Sequence, residues 1–383
     1  MKTNPQHLLV SRALAASVLL LAGLAHATTA NAELQSAELS RDGQALNIRW
    51  QAPATVDVYL ADTPDAPAAK RKLISKADAD GVHRLELKTD ARPYVWLQPK
   101  QGEGQWVAER VLPLQGGRNF RDMGGYETVD GRRVAWGKIY RSGNMANFTD
   151  ADYDYLRSLD IAVMCDLRSP QEREFEPTQW QRIDPALQYL AWEQPLMEAR
   201  RAEVDGDGPS LADMMRKGPV TDPELTREAF KHNYRHGAYE FKQQYTAVFD
   251  QLAQGKAPLA FNCSAGKDRT GRIAALLLSA LGVPREVVVA DYAMSDDVVD
   301  FEKAFAAPAS NSNTQKRESP FRAMMEQWSP EARAVLLSSE PEFIEAMFEQ
   351  IEKDYGSVEN FLERELGVDD AKLAQLKARY LEG

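Results

Sequence analysis

The chain has 383 residues, 44% of them hydrophobic and 27% charged, which suits one large or two ordinary globular units with a real core. Its formal charge is -11 and no basic stripe runs through it, which argues against a nucleic-acid partner. Local positive charge can still serve an anionic substrate.

Residues 1–32 read as a signal peptide. Lys2 and Arg12 give the positive start and Ala13 to Ala25 the apolar stretch. Ala30-Asn31-Ala32 supplies a small-x-small cleavage pattern, with Ala25-His26-Ala27 as second choice. The apolar stretch is short for a membrane span, and no later stretch is long enough for one. The expectation is an exported chain, periplasmic or secreted, with no stable membrane span after cleavage. Loss of Lys2 and Arg12 leaves a formal charge of -11 minus 2, or -13.

Residues 33–112 show short alternating runs, at Ala45 to Trp50, Val56 to Leu60, His83 to Leu87 and Tyr94 to Leu97. Turn signals separate them: Asp42-Gly43, Thr63-Pro64-Asp65, Asp80-Gly81 and Gly102-Glu103-Gly104. That spacing predicts a small β-sandwich of immunoglobulin or fibronectin type III character. A spacer, a module that docks a partner and a lid over a site all fit it.

From residue 113 to 383 the pattern changes to alternating α and β. Leu114 to Tyr126 is a Gly-rich lead-in, and Val129 to Arg132 reads as a hairpin turn. A strand leads into Tyr140-Arg141-Ser142-Gly143. Thr149 caps a helix running to Leu159. A buried strand from Ile161 ends in Asp166-Leu167-Arg168-Ser169, and Leu187 to Trp192 is another candidate strand. Residues 193–236 are polar and turn-rich, an excursion or a mobile lid. Tyr239 to Leu252 then reads as a helix. Pro308 to Pro320 is a polar connector. Phe343, Ile344, Met347, Phe348 and Ile351 repeat at helical spacing, as do Leu373, Leu376 and Tyr380, and are expected to be core stripes.

The chemistry concentrates in Asn262-Cys263-Ser264-Ala265-Gly266-Lys267-Asp268-Arg269-Thr270-Gly271, between the apolar runs Pro258 to Phe261 and Ile273 to Leu278. That reads as strand, tight loop, helix. Successive backbone N–H groups turned inward above a helix N-terminus make an anion site suited to a phosphate. The N–H groups of Ser264, Ala265, Gly266 and Lys267 would line it. Arg269 adds a planar fork for two phosphate oxygens. The same field favours a thiolate at Cys263, and a thiolate at the floor of a phosphate site can attack phosphorus. A permanent Cys165–Cys263 disulfide is therefore not expected. Cys165 reads as a buried free thiol, or as a reversible partner of Cys263 if their strands are neighbours.

Cys263-x5-Arg269 followed by Thr270-Gly271 resembles the signature of the cysteine-dependent tyrosine phosphatases. The form Ala265-Gly266-Lys267-Asp268-Arg269 resembles their broad-specificity bacterial branch. So do Asn119 to Tyr126, Tyr140 to Gly143 and Asp166 to Ser169, in that order, and the likeness covers roughly residues 115–380. It implies a tyrosine-phosphatase-like central sheet flanked by helices. It also implies hydrolysis of phosphotyrosine, phosphoserine or phosphothreonine, or phosphoinositides, through a phosphocysteine, without metal or cofactor. Position 262 departs from the pattern. The branch carries histidine before the cysteine, and Asn262 cannot take its positive charge.

A general acid must protonate the leaving oxygen and later activate water. Asp268 lies in the loop, where the branch carries an aspartate. Asp166 lies at the end of a strand expected beside the loop strand, where α/β sites gather. Asp222 on the polar excursion is third. Whichever of Asp268 and Asp166 is not the acid would orient Arg269. Thr270 reads as a hydroxyl donor to the thiolate or a helix cap, and Arg168 as a substrate contact or a salt bridge. Within the branch Lys267 implies extra positive charge for a phosphoinositide or a doubly charged ligand. Asn119, Arg121 and Asp122 read as braces. A nucleotide-binding Walker loop is excluded by Phe261 and Asp268 at its required positions. His232 and His236 have helical zinc spacing but lack a third ligand and read as structural. The alternative to a phosphatase is a phosphate-binding module with weak or no turnover, which only Asn262 favours. A sulfurtransferase would not need Lys267 to Thr270.

Overall fold

The computed structural model describes residues 34–87, 92–193, 209–306 and 320–383. The signal-peptide reading, residues 194–208 of the polar excursion and nearly all of the 308–320 connector lie outside them.

In the N-terminal unit the described strands are β1 (Ser36–Asp42), β2 (Ala45–Gln51), β3 (Val56–Ala61), β4 (Lys72–Asp78), β5 (Val82–Glu86), β6 (Tyr94–Pro99) and β7 (Gln105–Ala108). They form two antiparallel sheets, ordered β1-β2-β5 and β4-β3-β6-β7. Ile48 and Trp50 from the first sheet share a core with Val56, Val58, Val95 and Leu97 from the second. Alternation predicted β2, β3, β5 and β6. It missed β1, β4 and β7; β4 buries none of its side chains fully, so no apolar period marks it.

The second unit begins with β8 (Arg121–Asp122), β9 (Arg133–Val134), β10 (Ile139–Ser142), α1 (Asp150–Arg157), β11 (Val163–Asp166), α2 (Pro170–Phe175) and β12 (Gln188–Ala191). It continues through α3 (Leu211–Lys217), α4 (Pro223–Glu240), α5 (Lys242–Ala253), β13 (Leu259–Asn262) and α6 (Asp268–Leu281). It ends in α7 (Arg285–Ala293), α8 (Ser295–Val298), α9 (Phe301–Ala306), α10 (Pro320–Met325), α11 (Pro330–Leu337), α12 (Pro341–Tyr355), α13 (Val358–Leu366), α14 (Asp370–Tyr380) and β14 (Leu381–Glu382). The sheet order is β12-β11-β13-β10-β8, parallel except for β8.

Register brings the ends of three strands level, since Asn262 lies opposite both Ser142 and Asp166. The segment after β13 therefore opens at the carboxyl edge of the sheet, where α/β proteins gather their sites. The loop helix α6 is apolar nearly all round, with Ile273, Ala274, Leu276, Leu277 and Leu278 buried. That composition suits a central helix. The expected stripe on α12 is buried against the same core.

Within the excursion read at 193–236, the described residues 209–236 contain the short helix α3 and most of α4. Asp222 caps α4 by accepting from the N–H groups of Glu224 and Leu225. Phe230 and Tyr234 bury inside, with ring centroids 5.1 and 5.9 Å from that of Phe343 on α12. The polar composition of this stretch hid an 18-residue helix whose inner face is aromatic and sparse.

The two units pack together. Trp106 and Tyr94 of the first cluster with Trp136, whose indole N–H donates to the Trp106 carbonyl at 3.1 Å. The Arg92 guanidinium is buried in the junction, 2.6 Å from Asp122 and 2.8 Å from the Tyr140 hydroxyl. Trp136, Gly137 and Lys138, which meet the first unit, precede β10, whereas the Cys263 loop lies beyond its end. The first unit is thus attached away from the loop, which removes the lid from its three readings.

Candidate active site

The shape of the 263–269 loop follows from where its carbonyls go. The Ser264 carbonyl accepts from the Asn144 N–H at 2.9 Å, with an Arg118 nitrogen at 3.5 Å. The Gly266 carbonyl accepts from Asn119 Nδ2 and from Arg141, both at 2.9 Å. Turning these oxygens outward leaves the N–H groups of Ser264 to Arg269 without a protein acceptor among the described residues. A run of free N–H groups above the start of a 14-residue helix is an anion site by construction.

Gly266 makes this path possible. Its φ is +73°, and a Cβ there would sit 2.5 Å from the Gly143 nitrogen. Only glycine meets both demands. Of the three residues expected to brace the loop, one does so directly, and Arg121 instead donates to the Asp291 carbonyl at 3.1 Å. Asn119 holds the loop directly, and Arg141 is itself fixed at 2.5 Å by Asp291, which also accepts from Tyr126 at 2.8 Å. Asp122 instead braces the junction between the units. Arg118, which the sequence reading passed over, also reaches the Ala304 carbonyl on α9 at 2.9 Å.

Cys263 sits at the floor, 2% exposed, and is a free thiol. Cys165 is also free, on β11 beside the loop strand and opposite Phe261. Burial, reinforced by Asp166, pushes the Cys165 thiol up to about 12. Its thiolate is therefore scarce at neutral pH, which would slow its attack in any exchange with Cys263.

Arg269 is held by Glu172, a residue the sequence reading did not single out. Its two terminal nitrogens donate to the two carboxylate oxygens at 2.8 and 2.6 Å, and one also donates to the Leu167 carbonyl at 2.9 Å. The Ser264 hydroxyl donates to the same carboxylate at 2.6 Å. Burial alone would raise the Glu172 carboxyl. Arg269, Ser264 and the Ser169 N–H outweigh it and hold the group well below the ordinary range. Glu172 is the third residue of α2 and closes a capping box with Ser169. One carboxylate thus fastens a helix start and orients the Arg269 guanidinium. The Ser169-x-x-Glu172 signature was legible, and it would have placed this carboxylate just past the β11 edge.

Several expected roles change. Asp166 is fully buried and bound on both oxygens by Arg168, with Tyr189 donating at 2.9 Å and Asn262 at 3.4 Å. Enclosed in this way it is not presented to a leaving group, and it does not orient Arg269. Arg168 is 2% exposed and is spent on Asp166, the Glu176 carbonyl and Thr178. It is the salt bridge of its two readings rather than the substrate contact. The Thr270 hydroxyl donates to the Ser142 carbonyl at 3.2 Å instead of to the thiolate. Lys267 turns its ammonium away from the anion site. It donates to the Leu336 and Ser338 carbonyls at the end of α11, at 3.0 and 2.7 Å, beside the rings of Phe230 and Phe301. A cation on a helix C-terminus is well placed, but it is not free for substrate.

Asp268 remains at the mouth, its side chain 32% exposed. Oδ1 accepts from the Tyr234 hydroxyl at 2.7 Å and lies 3.7 Å from the Lys267 ammonium. Oδ2 has no protein donor among the described residues. Burial raises this carboxyl. Lys267, Tyr234, Arg272 and Arg269 offset that and keep it below the ordinary range. Asn262 is buried, with its amide 3.4 Å from the Cys263 carbonyl. The rings of His232 and His236 on α4 lie tilted to each other with centroids 4.8 Å apart, and no group of three or more metal-ligating side chains gathers among the described residues.

The sequence profile of the tyrosine phosphatase family matches residues 112–382. A protein of Cupriavidus necator provisionally named a tyrosine-protein phosphatase is 33% identical over 272 residues, which is 69% of this chain and 86% of that protein. The triple specificity protein phosphatase PtpB of Mycobacterium tuberculosis is 27% identical over 71% of this chain and 98% of its own length. A tyrosine-protein phosphatase of Nostoc commune is 27% identical over 62% of this chain and 72% of its own.

Proposed function

The chain belongs to the tyrosine phosphatase family, and we propose that it hydrolyses phosphate monoesters through a phosphocysteine on Cys263. The observation that carries the mechanism is the loop itself. Outward carbonyls, inward N–H groups and an Arg269 fork locked by Glu172 surround one thiol. Three equatorial phosphate oxygens would be held by the N–H groups and Arg269, which stabilise the charge spread over them in the transition state. Sγ attacks phosphorus, the S–P bond forms and the bond to the leaving oxygen breaks. Asp268 supplies the proton to that oxygen from Oδ2. Water then attacks phosphorus, Asp268 takes its proton, and the thiolate leaves.

Phosphotyrosine is the substrate class that the family name supports first. Phosphoserine, phosphothreonine and phosphoinositides extend the reading, and the triple-specificity name of the mycobacterial relative favours that breadth. The phosphoinositide reading loses the support of Lys267, whose ammonium is committed to α11.

The test is phosphate release from an aryl phosphate in a metal-free buffer by the full chain, Cys263→Ser and Arg269→Ala. Both variants should lose activity by orders of magnitude. Turnover that survives Cys263→Ser would overturn the mechanism. A wild-type chain that binds phosphate but turns over nothing from pH 4 to 9 would favour the binding-module reading raised by Asn262. Phosphopeptides run beside phosphoinositides separate the substrate classes. Export to the periplasm or beyond is inferred from the charged start, apolar stretch and Ala30-Asn31-Ala32 pattern. Terminal sequencing of the exported chain should find Glu33 first, and retention of Met1 on a cytoplasmic product would refute it.

A further inference from the structure

The proposed acid does not stand alone. The Tyr234 hydroxyl on α4 donates to Asp268 Oδ1 at 2.7 Å and lies 2.7 Å from the Tyr292 hydroxyl on α7. Tyr234 has one proton and spends it on the carboxylate, so the second bond must be donated by Tyr292. The result is a buried chain, Tyr292 to Tyr234 to Asp268, reaching the mouth from two helices behind it. Both rings are fully buried. The Tyr292 ring leaves no room for a side chain at position 271, where a Cβ would lie 2.9 Å from it, and Gly271 lies three residues past Asp268.

From this geometry we infer that Tyr234, backed by Tyr292, is the positioning residue of the general acid: it pins Oδ1 and leaves Oδ2 as the oxygen that carries and returns the proton. The inference rests on the assignment of Asp268 as the acid. Neither phenol touches the substrate or exchanges its own proton. Burial pushes both phenols well above their ordinary range, so they remain donors at any working pH. The pinned oxygen is also the one nearest Lys267, so the two contacts agree on which oxygen is held.

The sign of the pH effect follows from the contacts. Lys267 and Arg269 from the loop, Arg272 from α6 and Tyr234 from α4 all favour the ionised Asp268, against its burial. Arg272 also faces both phenols, and Asp296 acts on Tyr292 from α8. Removing the Tyr234 hydroxyl takes away one donor to the carboxylate. Asp268 then holds its proton to higher pH, and the alkaline limb of kcat/KM moves up. A role confined to packing would leave that limb where it was.

The experiment measures kcat/KM against pH for the full chain, Tyr234→Phe, Tyr292→Phe, Asp268→Asn and the Tyr234→Phe/Asp268→Asn pair. The substrates are aryl phosphates whose leaving phenols run from 4-nitrophenol to unsubstituted phenol. Asp268→Asn should lose more as the leaving group becomes poorer. Tyr234→Phe should show the same trend at about a tenfold loss on phenyl phosphate, a part of the roughly 10²–10⁴-fold that a positioned acid contributes. Its alkaline limb should move up, and its loss should vanish in the Asp268→Asn background. Tyr292→Phe should do the same more weakly, and it serves if Tyr234→Phe folds poorly. Equal losses on all substrates with an unmoved limb, or full additivity with Asp268→Asn, would overturn the role of Tyr234. A flat leaving-group dependence in Asp268→Asn itself would instead overturn the acid assignment beneath it.

Discussion

Glu172 carries three jobs on one carboxylate: it caps α2, receives Ser264 and aims Arg269. Glu172→Gln keeps the shape but loses the charge and one acceptor oxygen. A loosely aimed clamp costs on the order of 10²-fold in rate, and kcat/KM on an aryl phosphate should fall by about that. Stability should fall too, by roughly 1–3 kcal/mol at pH 7, as a charge-assisted hydrogen-bond set is lost. The folded Glu172 carboxyl lies below its unfolded value of 4.5. Its contribution is therefore present above that value and is lost as pH falls toward the folded one. Urea melts of wild type and Glu172→Gln should differ most near neutrality and converge in acid. A gap that stays constant down to pH 3 would count against this account.

Helix α1 shows how an element holds the site at one remove. Thr149 and Asp152 close a capping box, as the Thr149 position predicted. Asp152 does more than cap. It is buried, and it also accepts from the N–H groups of Gln115 and Gly116 at 2.7 and 2.9 Å. Those residues begin the lead-in that carries Arg118 and Asn119 to the loop. Asp152→Ala should cost about 1–2 kcal/mol by combining a lost cap with two N–H groups left without their carboxylate acceptor. It should also raise hydrogen exchange at residues 115–119. Loss of stability with unchanged exchange there would mean that the lead-in is held by other contacts.

Across the whole molecule, Arg92 supplies the buried ion pair of the junction between the two units, beside the cluster of Tyr94, Trp106 and Trp136. Its pair with Asp122 is almost fully buried, at 1% and 0% side-chain exposure, and removing one partner strands the other. Such a break costs about 3–5 kcal/mol. Asp122 also receives the N–H groups of Gly124 and Gly137 at 2.7 and 2.8 Å, so the pair reaches the start of β10. Arg92→Ala should lower the melting temperature and split a single calorimetric transition into two, while aryl phosphate turnover at 25 °C stays within about twofold, because the loop lies beyond the other end of that strand. A single transition would show that the Trp136 cluster and Lys138–Asp65 hold the units together without the Arg92 pair, and a large loss of turnover at 25 °C would show that the junction reaches the loop.

What could be read from the chain alone was what local chemistry dictates. The strand, loop and helix around Cys263 were legible because apolar runs, small residues and a charged fork sit within a dozen positions. The α1 cap, the α12 stripe and four strands of the first unit were legible for the same reason, since periodicity and capping act over a few residues. Tertiary structure decided which carboxylate met which distant partner. Asp166, Asp268 and Glu172 all carry carboxylates; Arg168 lies only two residues from the first, but helix placement alone put Tyr234 on the second and Arg269 on the third. It also turned Lys267 away from the anion site, because the end of α11, almost seventy residues on, presents two carbonyls that no local pattern announces. Ion pairs between distant segments depend on angstrom-scale distance and on burial, and both exist only once the sheet and helices have packed.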